Sequence, residues 1–234
     1  MTFEFLNFLT KPWFVVPWYT IGLLGAVWVL RDTLSVNTNV NTALKGAWPI
    51  IVFFFSVIGL ALYWWTCRPP GIADVEGEDA ASAHHEYVSK PRRKVTGAVV
   101  HCVGGDGLGI ITAMAAMRLL DTSFWVEFWV EYAVGFAFGW FLFQSVSFKK
   151  MEDIGWVEAV LKGGRAEFFS MITVMLGMGL VMRYVTPAVA GHPPPDPTEA
   201  AFWGFGALGL LVGAVFTYPM NALLVKIGWK HGMA

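Results

Sequence analysis

Charge is what this chain has least of: 14% of its residues are Asp, Glu, Lys or Arg, against a usual ~25%. A soluble domain of 234 residues needs more polar surface than that to face water. Sixteen basic residues against seventeen acidic ones leave a net charge of -1, so no basic field exists to draw in nucleic acid. Cysteine is almost absent as well, and the two present, Cys67 and Cys102, exclude a disulfide scaffold. Long polar stretches are missing outside 67–94, which leaves no room for a separate soluble catalytic domain. The abundant classes are the opposite ones: 56% of residues are hydrophobic, with 25 glycines and 12 tryptophans. Together these features point to a polytopic membrane protein.

Six runs reach the ~20 apolar residues that cross a bilayer as a helix. They cover about 14–30, 48–66, 95–120, 123–146, 168–186 and 201–225. The expected fold class is therefore an all-α integral membrane bundle of six transmembrane helices. Its organisation reads as a first helix pair (1–66), a polar loop (67–94) and a four-helix core (95–234). Lys and Arg are retained on the cytoplasmic side, and they divide twelve to four between alternate connections. That asymmetry places both termini in the cytoplasm, as suits the inner membrane of a bacterium. Trp13, Trp48, Trp64, Trp65, Trp125 and Trp203 flank spans and are expected at the membrane interface. The 67–94 loop, with its acidic start, His84-His85-Glu86 and a basic end, reads as a solvated segment.

Ionisable groups inside a span cost at least ~2.5 kcal/mol each to insert, so each needs a partner or a task. His101, Cys102 and Asp106 fall within the third span, and Glu127 and Glu131 fall within the fourth. Counting 1.5 Å per residue arranges His101, Asp106, Glu131 and Glu127 as a polar ladder across the membrane. Its plain alternative is packing, with Glu127 paired to Arg183. In the fifth span Met171, Met175, Met178 and Met182 repeat at helical spacing and share a face. Thioether, thiol and imidazole suit a soft ion, so copper or another transition metal is the candidate cofactor, none being certain. Gly105/Gly109, Gly135/Gly139 and Gly209/Gly213 allow close helix contact and put spans three, four and six at the centre. The glycine run 104–109 lacks the strand and the Lys-Ser/Thr ending of a phosphate loop.

Several short motifs carry a resemblance. Ala47-Trp48-Pro49-Ile50, His101-Cys102 before a glycine run, Glu131-Tyr132, Phe143-Gln144 and Thr217-Tyr218-Pro219-Met220-Asn221 together resemble an uncharacterised bacterial membrane family. It is a domain of unknown function whose members are sometimes fused to, or named after, copper-oxidase-like proteins. The resemblance implies a shared fold. Where that family tends to have a second cysteine this chain has Asp106, and where it has acidic residues this chain has Ile110 and Gly135. A carboxylate in place of a thiolate makes the implied site harder and less suited to cuprous copper.

Two function classes emerge. The first is a protein that moves or holds a metal ion or other cation along His101, Cys102, Asp106, Glu131 and the four methionines. The second is a non-catalytic accessory or assembly subunit, whose partners are the lipid bilayer and a larger membrane complex or a second copy of the chain. An enzyme is not expected, since no nucleophile, base and acid stand together.

Overall fold

A computed structural model describes residues 3–232, all helices and connecting turns among them. A short 3-10 helix, Glu4–Thr10, leads into α1 (Pro12–Ser35), whose Pro12 occupies the first turn, where a missing N–H does no harm. α2 (Thr42–Thr66) starts from an Asn41 cap whose Oδ1 accepts from the Ala43 amide at 2.9 Å. Then come α3 (Gly77–Val88), α4 (Pro91–Leu119) and α5 (Phe124–Ala137). A π-helical stretch, Phe138–Gln144, continues α5 into α6 (Ser145–Glu152). α7 (Trp156–Leu180) runs through a second π stretch, Val181–Val185, into α8 (Thr186–Ala190), and α9 (Ala200–Lys226) closes the bundle.

Six of these helices or fused helices are long and apolar enough to cross a membrane: 12–35, 42–66, 91–119, 124–152, 156–190 and 200–226. The fifth is the one that hydropathy truncates most. Its first turns carry Glu158, Lys162, Arg165 and Glu167, which dilute the apolar signal although the helix runs through them.

α4 is the axis of the molecule. Its face is glycine and alanine, so neighbours approach to backbone distance: a Cβ on Gly109 would lie 2.9 Å from the Gly135 Cα, and one on Gly104 3.2 Å from the Ala47 Cα. The fourth span, expected beside it at the centre, instead offers α4 one glycine face and turns Trp125, Trp129, Phe141 and Leu142 outward. α7 and α9 meet at Gly177 and Gly213. α1 lies at the edge and packs Gly22 and Gly25 on α2.

Two other expectations change. Trp48, expected among the tryptophans facing the membrane interface, is fully buried inside the bundle, edge-on to Tyr63 at 5.4 Å. The 67–94 loop is folded: Ala80, His84 and Val88 form the buried face of α3. Tyr87 and Arg93 donate to the Trp65 carbonyl at 2.9 and 3.0 Å, satisfying the end of α2.

Candidate metal centre

Cys102 and Asp106 are four residues apart on α4, one helical turn, and so share a face. The Cys102 thiol donates to Asp106 Oδ2 at 3.1 Å. From α7, Glu167 brings Oε1 to 3.5 Å from the same sulfur. One donor atom from each of the three lies within 4.8 Å of the others, and all three side chains are buried. Opposite them stands Gly139, inside the first π stretch. A Cβ there would collide with the Asp106 carboxylate and come to 2.6 Å from Glu167 Oε1. An extra residue per turn in a π stretch rotates the rest of the helix about its axis, and here it aligns a glycine with the cluster.

A fourth group enters from beyond α9. The Lys230 ammonium is fully buried, 3.8 Å from Glu167 Oε2 and 3.2 Å from Ser170 Oγ. Burial opposes its charge, while Cys102, Glu167 and Asp106 favour it, and the balance lies above the ordinary lysine value. Asn221, Thr217 and Ser170 continue the polar network, with Asn221 Nδ2 donating to Thr217 Oγ1 at 2.9 Å and Thr217 Oγ1 to the Ser170 carbonyl at 3.1 Å. Several buried polar atoms around this point have no hydrogen-bond partner within the protein: Asp106 Oδ1, Glu167 Oε2, which has the Lys230 ammonium at 3.8 Å, His101 Nδ1, Asn221 Oδ1 and both ends of Gln144. Buried polar atoms of this kind take ordered water or a ligand as partner.

The sequence-derived candidates divide. Cys102 and Asp106 belong to the cluster. His101, next to Cys102, points elsewhere: its Nε2 lies 3.0 Å from Ser147 Oγ and its ring stands edge-on to Phe143. Glu131 does not join Asp106; it sits beside Glu127 and the charge of Arg118. Glu127 pairs with Arg118, not with Arg183, which lies over the Phe124 and Tyr184 rings. Between the two acidic groups the Gly109 and Gly135 backbones touch, with Ile110 and Met171 packed around them. No continuous polar ladder is present among the described residues. The methionines are packing: Met171 fills the hollow at Gly135, Met178 and Met182 that at Gly209, and Met171, Met175 and Met178 belong to the buried apolar core.

Glu167 and Lys230 escape a reading of the sequence. Glu167 stands one residue before the apolar run beginning at Phe168, and Lys230 reads as an ordinary basic flank. Continuing α7 backwards from Met171 as a helix would find Glu167, since 167 and 171 share a face. An apolar cavity of about 320 Å³ between the Glu4–Thr10 turn, α1, α2 and α9 contains none of these groups.

Residues 92–230 match a family described as Domain of unknown function (DUF4396). The chain belongs to that family. The DUF4396 match runs from the first turn of α4 to Lys230, so the whole Cys102, Asp106, Glu167 and Lys230 group lies inside it, and α1 and α2 lie outside. No curated protein matches the chain, and no solved structure does.

Proposed function

We propose that this DUF4396 protein holds and handles a divalent transition-metal ion of the zinc class inside the membrane bundle, at Cys102, Asp106 and Glu167. One observation carries this: three buried donors from two helices converge within 4.8 Å of one another. One sulfur and two carboxylate oxygens form a mixed set that suits Zn²⁺ better than cuprous copper. In a tetrahedral zinc site the sulfur to oxygen edge is about 3.5 Å, from Zn–S ≈ 2.3 Å and Zn–O ≈ 2.0 Å. The 3.1 and 3.5 Å separations at Cys102 are close to that edge. Metal binding would take the Cys102 sulfur as thiolate and release its proton, so that two carboxylates and one thiolate would face the divalent ion.

The end of the bundle nearest the cluster is where α4 begins, α6 ends, α7 begins and α9 ends. The excess of Lys and Arg falls on that side, which supports a cytoplasmic position for that end and for both termini in a bacterial inner membrane. A protein that moves the ion, not merely stores it, needs a second opening, and the buried Arg118, Glu127 and Glu131 group marks the other half of α4.

Gentle purification followed by metal analysis tests the proposal. Stoichiometric zinc, or cobalt with sulfur-to-metal absorption, should be retained by the protein and by Glu131→Gln, and lost from Cys102→Ser and Glu167→Gln. Protein that binds no metal and co-purifies in fixed ratio with a larger membrane complex would replace this function with that of an accessory subunit.

A further inference from the structure

From Ile227 to Gly232 the chain stays on the bundle. It turns at Gly228 (φ 72), and the amides of Trp229 and Lys230 both donate to the Leu224 carbonyl. Residues 228–232 then lie as a strap across the end of the molecule nearest the cluster. Every side chain of the strap is engaged. The Arg165 guanidinium lies 4.1 Å from the centre of the Trp229 indole, and the Phe169 ring lies 6.0 Å from it. Lys230 reaches inward to Glu167 and Ser170. His231 Nε2 lies 2.7 Å from Glu152 Oε1, and its ring packs on Phe148. Gly232 lies against the Lys94 side chain. Five residues thus bridge α4, α6 and α7, the helices that lead to the site.

We infer that this strap is a removable cover over the Cys102, Asp106 and Glu167 cluster, and that the Lys230 ammonium occupies the ion's place until the strap leaves. Two features separate it from ordinary core packing. Its outer fastenings are a cation–π contact and the hydrogen bond between His231 and Glu152, whose side chains are 35% and 26% exposed, the kind of contact water readily competes for. Its buried group is an ammonium carried on a glycine-flanked turn, not on a helix. Lifting the strap takes a positive charge away from Glu167, and an arriving divalent ion restores it. Cover and cargo therefore exchange one for the other. The exchange rests on the proposed cation site; the cover rests on geometry alone.

Access to Cys102 is the test. Full-length protein is treated with chelator and then with iodoacetamide, and alkylation at Cys102 and Cys67 is followed by peptide mass. His231→Ala removes the Glu152 fastening without touching the cluster. It should speed alkylation of Cys102 on the order of tenfold, the change in open population expected from losing one charge-assisted hydrogen bond, and leave Cys67 unreactive. An unchanged Cys102 rate overturns the inference. If both cysteines react, the bundle has loosened as a whole, and Glu152→Gln, which weakens the same fastening from the opposite side, decides by the same reading. The assay contains no metal, so its failure removes the cover and leaves the cation site standing. Failure to bind zinc removes the cation site and leaves this result intact.

Discussion

Gly139 is a residue whose missing side chain creates the site. With Asp106 and Glu167 occupying the space a Cβ would need, Gly139→Ala has to push the carboxylates apart. It should lower stability by about 1–3 kcal/mol, as overpacking does, and weaken zinc retention. Gly155→Ala, at a position with nothing within 4 Å, should do neither, and thermal melts with metal analysis of the two variants make the comparison. Cys67 offers a pH readout at the same scale. Burial pushes its thiol up to about 12, so at high pH the unfolded chain ionises there before the folded one does. Its contribution is intact below pH ~8.5 and lost as pH rises beyond, by up to ~1.4 kcal/mol per pH unit. Melting wild type against Cys67→Ala from pH 8 to 10 should show the wild type's relative stability falling. Residues of this kind are unevenly legible in the sequence. Cys102 and Asp106 announce themselves as polar groups one turn apart in an apolar run. Glu131 misleads because depth along a helix says nothing about which way the helix is rotated.

At the scale of elements, glycine pairs and π stretches do the positioning. Gly105 and Gly109 of α4 face Gly139 and Gly135, in keeping with their spacing. The partner of Gly213 is Gly177, a single glycine that no pair motif singles out. Gly177→Leu should therefore separate α7 from α9 and cost several times what the exposed Leu176→Ala costs, read by melting in the same detergent. The π stretches cannot be foreseen, because one extra residue in a turn leaves hydropathy unchanged. α3 is hidden for a related reason: its mean hydropathy is low, and only the 80, 84, 88 face is buried. Burial holds the His84 imidazole below the ordinary histidine value. Docking of α3 is thus fully favoured above pH ~6.5 and weakens as pH falls, since the undocked helix then gains a proton that the docked one resists. Limited proteolysis of 67–94 should accelerate between pH 7 and 5.5, and His84→Leu should remove that dependence.

For the whole molecule, six apolar runs suffice to define the class because the bilayer sets helix length, and contacts between runs are beyond reach because lipid and protein interiors look alike to hydropathy. The two buried acidic groups are the chief organisational result. Glu131 precedes Gly139, which faces Asp106, by eight residues, or about 12 Å of helix. At that separation they should act independently: the destabilisation of an Asp106→Asn, Glu131→Gln double variant should equal the sum of the single ones within about 0.5 kcal/mol.

The position of the cluster along α4 has an electrical meaning. Asp106 is the sixteenth of the twenty-nine residues of α4, about half-way along. A membrane potential of 100 mV acts on each charge that crosses it with ~2.3 kcal/mol, and on one that travels half-way with about half of that. In the exchange proposed above, a divalent ion enters while the Lys230 ammonium and the proton of the Cys102 thiol leave, so two positive charges replace two and no net charge is moved over that distance. Occupancy of the proposed site should then be indifferent to the membrane potential and should instead fall about tenfold for each unit by which pH drops, which makes acidity, not the energised state of the membrane, the determinant of how full the site is.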